Sequence, residues 1–180
     1  NKKFISLEVE AYKEYFDQLA FRRVKDRKSH SYYWNSITKY CNYFSHSNSS
    51  VLEIGCGTGE LIHEIKGNRK VGIDFSDKMI EIAKSRFSDV EFHTMAAENI
   101  QLTEKFDIII LSNLIGFVDD VQGVFQQLHK VAHINTKIVI TYYNYFWEPF
   151  IKFAEAIGLK TKTPNQNWLS HQDIKNLLIL

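Results

Sequence analysis

The sequence predicts an α/β fold in which helices cover both faces of a doubly wound, mostly parallel sheet. Three observations predict it: short apolar runs alternate with helical patterns, a glycine-rich turn follows the first run, and a helical stretch precedes them all. Strands that alternate with helices form parallel crossover units. We expect one domain over residues 1–180, with an N-terminal helical cap at 1–48 and the α/β core at 49–180.

The composition narrows the class of protein. Hydrophobic residues make up 44% of the chain and the formal net charge is +1, which gives no reason to expect nucleic acid as a partner. No apolar run approaches the roughly 18 residues that suggest a membrane span, and the N-terminus has no signal-peptide core. Two cysteines, Cys41 and Cys56, do not make a disulfide framework. We therefore expect a cytoplasmic protein without membrane insertion.

The elements follow in order along the chain. Residues 7–45 contain no glycine or proline and are predicted to be helical, and the polar hinge Ser45–Ser50 follows. Strands are predicted at Val51–Ile54, Lys70–Ile73, Val90–Thr94, Asp107–Leu111 and Lys137–Tyr142, and helices at Glu60–Lys66, Asp77–Arg86 and Val121–Ala132. Ser170 and Asp173 have the spacing of a helix N-cap and its third residue. The apolar run Leu177–Leu180 then ends the sequence, so we expect the protein to continue beyond it.

A glycine-rich turn follows the first predicted strand, where Val51–Gly59 has the sequence VLEIGCGTG. Glycine lets the backbone approach a ligand closely at the carboxyl edge of a sheet. A dinucleotide fingerprint would need a glycine where Glu60 stands. Carboxylates at Glu60 and Glu53 would repel a pyrophosphate but suit a sulfonium and an ammonium group. The turn therefore favours a cationic cofactor over NAD, and a tight turn without a ligand is the remaining interpretation.

Asp74 ends the second predicted strand, VGID. A carboxylate at this place can accept hydrogen bonds from both ribose hydroxyls of a nucleoside. Capping of a local turn is the alternative. The glycine turn upstream favours the ribose interpretation.

VLEIGCGTG and VGIDFSDKMIEIAK resemble the first and second motifs of the class I methyltransferases that depend on S-adenosylmethionine (SAM). The resemblance covers about residues 51–142 and implies a Rossmann-like fold with SAM as cofactor. It implies that the cofactor site consists of Glu53, Gly55, Cys56, Gly57, Thr58, Gly59, Asp74, Phe75, Met79, Ala97, Glu98, Ser112, Asn113 and Leu114.

The same resemblance implies individual roles. Glu53 is expected near the methionine amino group, Asp74 on the ribose, and Phe75 and Met79 beside the adenine. The sequence MAAENIQL resembles the adenine-reading segment, with Ala96 in place of the usual acidic residue. The sequence FDIIILSNLIGFVDD resembles the fourth motif, which puts residues 112–114 beside the methionine end of the cofactor. Many small-molecule members have a histidine after this motif, where this sequence has Gly116 and Phe117.

The resemblance also implies an antiparallel C-terminal strand hairpin, for which no residues remain, so we expect it to be missing from this sequence. The stretch from Trp147 onward is similar to methyltransferase domains from bacterial glycan-related clusters, sometimes beside a glycosyltransferase. We predict an enzyme that O-methylates a small molecule or a glycan precursor, with a fused or neighbouring glycosyltransferase as a further partner. The alternatives are a non-catalytic SAM-binding module attached to another enzyme and an NAD-dependent oxidoreductase.

Several residues outside these motifs are candidates for acceptor chemistry. The basic run Arg22–Lys28 is either a solvated helix face or a site for an anionic group. Tyr32, Tyr33 and Trp34 either lie over the cofactor as a lid or pack on the sheet. Seven aromatic residues within Tyr142–Phe153 are expected to divide between core packing and an acceptor pocket.

Histidines and tyrosines complete the candidate set. His129 and His133 have the spacing of a helical metal pair but no third ligand, so we expect surface histidines and no metal. No nucleophile–base pair is evident. The candidates for a catalytic base are Tyr33, Tyr142, Tyr143 and His171.

Overall fold

The computed structural model describes residues 16, 17, 19, 20, 31–142, 145–159 and 167–179. Its helices are α1 (Ser31–Phe44), α2 (Glu60–Glu64), α3 (Asp77–Arg86), α4 (Val121–Val131), α5 (Glu148–Ala156) and α6 (His171–Ile179), with a 3-10 turn at Tyr145–Trp147. Its strands are β1 (Ser50–Ile54), β2 (Arg69–Asp74), β3 (Glu91–Thr94), β4 (Phe106–Ser112) and β5 (Ala132–Thr141). They form one sheet in the order β3-β2-β1-β4-β5, and every pairing is parallel. The predicted doubly wound α/β fold is confirmed.

Two apolar clusters cover the faces of the sheet because successive side chains of a strand point to opposite sides. Leu52 and Ile54 of β1 belong to the cluster that α4 and α6 complete. Val51 belongs to the other cluster, which α1, α2 and α3 complete. Helix α1 contributes Ile37 and Cys41 to this second cluster, so this helix shares the core of the domain.

Strand β5 begins earlier than predicted. Ala132 already pairs with Phe106, and a bulge separates this pair from the regular pairing that starts at Lys137. Thr136 stabilises the irregular stretch, since its hydroxyl donates to the carbonyl of Phe106 at 2.6 Å and accepts from the N–H of His133 at 2.7 Å. The bulge breaks the alternation of polar and apolar residues, which is why the sequence pattern misplaced the start of the strand.

The helix caps and helix bounds agree with the predictions from the sequence better than the start of β5 does. Ser170 and Asp173 form the predicted capping box: the N–H of Asp173 donates to the Ser170 hydroxyl, and the N–H of Ser170 donates to the Asp173 carboxylate at 2.8 Å. Helix α3 has the predicted bounds, with Ser76 as its N-cap. Helix α2 is shorter than predicted because Ile65 takes an extended conformation and ends it.

Both cysteines are buried and form no disulfide bond. Burial, with a smaller contribution from the negative charge of Glu53, raises the pKa of the Cys41 thiol to about 12. Cys41 therefore behaves as an apolar side chain of the core. No helix in the described part of the chain is long and apolar enough to cross a lipid bilayer.

Candidate functional site

The glycine turn after β1 takes a conformation that other residues rarely adopt. Gly55, Gly57 and Gly59 have φ angles of +74°, +54° and +83°. The N–H groups of Gly55 and Cys56 both donate to the carbonyl of Ile73, which folds the turn back against the end of β2. A Cβ on Gly55 would lie 2.8 Å from Leu114 Cδ1. The backbone of the turn thus lies tightly between the carboxyl ends of β2 and β4.

Asp74 at the end of β2 holds the glycine turn in place. Its two carboxylate oxygens accept from the N–H of Gly57 at 2.8 Å and from the N–H of Ser76 at 3.0 Å. A carboxylate has room for about four hydrogen bonds. The turn-capping interpretation and the ribose interpretation are therefore compatible, and the ribose contact stays a prediction.

Glu53 is a buried carboxylate that caps a helix from a neighbouring strand. Its side chain is only 3% exposed, and it accepts from the N–H of Ile62 at 3.0 Å. The N-cap residue of α2 is Gly59, which has no side chain to satisfy this N–H. Glu53 supplies the missing acceptor, and its negative charge is favourable at the positive end of the helix. The sequence motif alone did not reveal this role.

Glu60 at the start of α2 is paired within the fold. The Thr58 hydroxyl donates to it at 2.6 Å, and Arg86 of α3 forms a salt bridge with it. Burial alone would raise the pKa of Glu60, but the hydrogen bonds from Thr58 and Arg86 outweigh burial and hold the pKa below its ordinary value. Glu60 is anionic, but Arg86 offsets its charge. Glu60 therefore repels a pyrophosphate less than the sequence predicts.

Three of the residues predicted to bind the cofactor are packed tightly within the domain. Cys56 and Thr58 are buried, and Cys56 belongs to the apolar cluster of α1, α2 and α3. A Cβ on Gly59 would lie 2.7 Å from Phe92 Cζ, so the glycine is needed for packing on β3. We therefore expect these residues to contact a cofactor through the backbone.

The residues predicted beside the adenine divide into two groups. Met79 and Ala97 are buried, with Met79 completely inaccessible to solvent. Phe75 and Glu98 are half-buried. The Phe75 ring makes an edge-to-face contact with Phe16, with 5.5 Å between the ring centroids. The adenine roles of all four stay predictions.

The carboxyl end of β4 carries a second unusual backbone conformation. Asn113 has a φ of 54°, and it is the one non-glycine residue with positive φ in the described part of the chain. Its N–H donates to the carbonyl of Thr141 at 2.9 Å, and the hydroxyls of Ser112 and Thr141 lie 3.2 Å apart. The Tyr33 hydroxyl of α1 donates to Asn113 Oδ1 at 3.0 Å. Such conformations persist only where the surrounding structure holds them, and they cluster at functional sites.

Two contributors to this region were missed in the sequence. Asn167 donates its N–H to the carbonyl of Gly116 and its side-chain amide to the carbonyls of Ile115 and Val118, which fixes the turn after β4. Phe16 lies against the same turn, with its ring 5.5 Å from that of Phe117. Neither residue belongs to a recognisable motif, and only the fold brings them to the site.

The aromatic residues after β5 divide between exposed positions and the edge of the core. Phe146, Trp147, Phe150 and Phe153 are 57–68% exposed, so these four residues do not pack in the core. Tyr142 packs against the cluster of α4 and α6. The side chains of Tyr143 and Tyr145 lie outside the described residues.

The remaining candidates lie on other elements of the fold or outside the described residues. Helix α4 ends at Val131, so His129 and His133 do not share a helix, and His133 Nε2 lies 3.1 Å from Asp107 Oδ1. Within the described residues, no three metal-ligating side chains come together. His171 is exposed at the start of α6. The basic run Arg22–Lys28 lies outside the described residues.

The sequence of the chain matches known methyltransferases. A family model described as a methyltransferase domain matches residues 45–176. The chain is 28% identical over 114 residues to a malonyl-[acyl-carrier protein] O-methyltransferase of Bacillus anthracis, a match that covers 60% of the chain and 42% of the relative. The chain spans between 37% and 49% of the length of the first curated relatives it matches.

Solved structures share the fold. A SAM-dependent methyltransferase from Thermotoga maritima superposes with a TM-score of 0.73 at 21% identity, covering 91% of this chain and 77% of that one. Magnesium protoporphyrin IX methyltransferase from Synechocystis, solved with bound S-adenosylhomocysteine (SAH), superposes with a TM-score of 0.71 at 16% identity, covering 94% and 86% of the two chains.

Proposed function

The chain belongs to the methyltransferase domain family, and on this premise we propose that it transfers a methyl group from SAM to an oxygen of a small molecule or a glycan precursor. Family membership supports SAM as the donor and decides against the dinucleotide that the glycine turn alone left open. The SAM sulfonium supplies an activated methyl group that an acceptor can displace in line.

The described residues fit this cofactor. Gly55 leaves a cradle that a Cβ would fill, because that atom would collide with Leu114. Asp74 holds the turn beside it, and a carboxylate at the end of the second strand is suited to a ribose. Phe75 presents a half-buried ring at the end of β2. The turn, Asp74 and Asn113 would hold SAM across the crevice between β1 and β4, where the sheet order reverses.

One observation carries the proposal. The glycine turn and the carboxylate of Asp74 form a single unit, joined by the hydrogen bond from Gly57 N–H to Asp74 Oδ2 at 2.8 Å. A turn without a ligand needs only one or two positive-φ residues, whereas this one uses Gly55, Gly57 and Gly59 and is tied to a second strand. This arrangement is suited to a nucleoside at the carboxyl edge of the sheet.

The acceptor is proposed from the sequence and from one curated relative. The name of the Bacillus anthracis relative includes O-methylation, which supports oxygen as the methylated atom. A small-molecule acceptor, a cytoplasmic location and a neighbouring glycosyltransferase remain proposals from the sequence. For this chemistry the protein must align the acceptor and exclude water. A base is needed only for an acceptor that loses its proton during transfer.

Transfer of tritium from methyl-labelled SAM tests the proposed function. The acceptors are grouped by chemistry into carboxylates on an acyl carrier, phenols, and hydroxyls of nucleotide-linked sugars. We expect labelled product with at least one group, and stoichiometric SAH. Failure of the wild type to bind SAM or SAH in calorimetry would overturn the proposal.

A second candidate is a SAM-binding module without turnover. It is favoured by Phe117, whose ring lies 5.5 Å from that of Phe16 where the resemblance to class I methyltransferases implies a histidine in many small-molecule members. Tight SAH binding with no SAH formation from SAM across all three acceptor groups would favour this candidate over the enzyme.

A further inference from the structure

The crevice at the carboxyl edge has two walls. The strand order β3-β2-β1-β4-β5 reverses between β1 and β4, and ligands of such sheets bind outside the carboxyl ends at that point. One wall is the turn after β2, with Phe75 and Ser76. The other is the turn after β4, with Asn113 and Phe117. The glycine turn after β1 lies between them.

Both walls are anchored by the core of the domain. The N–H of Ser76 donates to Asp74 Oδ1 at 3.0 Å, and its hydroxyl accepts from Met79 N–H at the start of α3. The turn that contains Phe117 receives three hydrogen bonds from Asn167. Asn113 is held by the carbonyl of Thr141. Each wall is therefore held by contacts that do not involve the N-terminal part of the chain.

Two points of the N-terminal part join these walls. The Phe16 ring lies 5.5 Å from both Phe75 and Phe117, edge to face in each case, so one side chain contacts both walls. Asp17, the next residue, accepts a hydrogen bond from the Ser76 hydroxyl. The Tyr33 hydroxyl on α1 donates to Asn113 Oδ1.

We propose that Phe16 and Tyr33 form a clasp that closes the crevice over the bound methyl donor and slows its release. The proposal rests on the proposed function, because it needs SAM or SAH in the crevice. A side chain that contacts both walls must leave at least one of them before a ligand can enter or leave. The contacts with Phe75, Phe117 and Asn113 would then be broken in the open state and remade in the closed state.

The clasp makes Phe16 and Tyr33 positioning residues. They act on the lifetime of the closed state, whereas Asp74 and the glycine turn hold the ligand itself. Loss of the clasp should therefore speed dissociation and leave association unchanged or faster. A residue that served only the stability of the domain would lower the melting temperature and would not change the dissociation rate selectively.

Stopped-flow displacement of SAH from the full chain tests the clasp. Phe16→Ala removes two edge-to-face ring contacts, and we expect dissociation to be roughly tenfold faster. Tyr33→Phe removes one hydrogen bond, and we expect an increase of about threefold. Phe16→Tyr keeps the ring and should restore the wild-type rate. Tyr40→Phe is the matched control, since Tyr40 lies on the same helix and is 69% exposed.

Each outcome decides the matter. Wild-type dissociation rates in both Phe16→Ala and Tyr33→Phe overturn the clasp while leaving the proposed function intact. Slower dissociation in Phe16→Ala also overturns it, because the ring would then occupy the place of the ligand. If Phe16→Ala does not fold, Tyr33→Phe decides, since it removes a single oxygen atom. Failure of the wild type to bind SAH overturns the proposed function, and the clasp with it.

Discussion

At the carboxyl edge of the sheet the backbone adopts conformations that ordinary residues avoid, whereas at the amino edge side chains pair by charge around an ordinary backbone. Five described residues have a positive φ, and four of them lie at the carboxyl edge, namely Gly55, Gly57, Gly59 and Asn113. The carboxylates of Glu53 and Asp74 beside them are buried and accept backbone N–H groups.

The amino edge contains exposed ion pairs. Arg69 at the start of β2 bridges Glu91 and Glu104, and Lys70 pairs with Asp89. Asp107 at the start of β4 accepts from the N–H and hydroxyl of Ser50 at 2.8 and 2.9 Å. Exposed ion pairs contribute about 1 kcal/mol or less each.

The difference indicates what each edge is for. Strained backbone and buried charge lower stability unless the surrounding structure holds them in place, and they are typical of sites that bind ligands. Ion pairs around regular strand ends mainly fix the register of the sheet. We therefore propose the carboxyl edge as the functional edge, and the amino edge of the same sheet serves as an internal control.

The largest expected effect compares the same substitution at both edges. Asp74→Ala removes two hydrogen bonds to a charged acceptor that hold the glycine turn, so we expect SAH affinity to fall about 100-fold. Asp107→Ala also removes an aspartate that binds a backbone N–H, but at the amino edge, and should leave affinity unchanged. Calorimetry measures both variants. An equal loss of SAH affinity in the two variants would show that the two edges do not differ in function.

A second comparison separates backbone strain from packing. Gly59→Ala adds a Cβ at 2.7 Å from Phe92 to a residue with φ of +83°, and we expect the free energy of unfolding to fall by about 3 kcal/mol. Gly158 has a similar φ of +76° with no atom within 4 Å of its Cβ position. Gly158→Ala should therefore lose only about 1 kcal/mol in urea denaturation. Equal losses would show that contact with Phe92 contributes nothing.

A third comparison concerns asparagine at the two edges. Asn113 has a left-handed conformation, so Asn113→Gly relieves strain and should leave stability unchanged or slightly higher, although the contact with Tyr33 is lost. Asn68, before β2, does not have a positive φ, and Asn68→Gly should lower the free energy of unfolding by about 0.5–1 kcal/mol. A larger loss at Asn113 than at Asn68 in urea denaturation would contradict the strain assigned to Asn113.

The smallest effect is a pH dependence at the amino edge. The N–H and then the hydroxyl of Ser50 hold the pKa of Asp107 below its ordinary value against the effect of burial, and His133 adds to this. A lowered pKa in the folded state means that the ionised form contributes stability above the unfolded pKa of about 4, and that this contribution is lost as pH falls through the folded pKa.

Asp107→Asn tests this dependence. We expect the difference in free energy of unfolding between wild type and variant to shrink as the pH falls from about 5 to below about 4. Urea denaturation across that range gives the measurement. A difference that widens on acidification would show that Asp107 is not stabilised as an anion.

Much of the fold was predictable because it depends on local pattern. The parallel α/β architecture, the bounds of α3 and the capping box at Ser170 all follow from apolar spacing and caps within a few residues. The start of β5 was not predictable in this way, since the bulge held by Thr136 depends on a partner in β4.

In the candidate site, too, features that depend on a local motif were predictable and features that depend on distant elements were not. The glycine turn and Asp74 belong to contiguous motifs, and the structure brings them together as expected. The helix-capping role of Glu53 and the pairing of Glu60 with Arg86 depend on separate elements packing together. Phe16 and Asn167 reach the site from the two ends of the chain, which no local pattern could indicate.

Hydrogen–deuterium exchange of the wild type with and without SAH tests most directly whether the carboxyl edge is the cofactor site. We predict that SAH slows exchange in peptides covering residues 51–62, 72–79 and 111–118, which contain the glycine turn and both walls of the crevice. Peptides covering residues 65–70, 103–107 and 132–136 at the amino edge should not change. Protection confined to the amino edge, or spread evenly over both edges, would contradict the account.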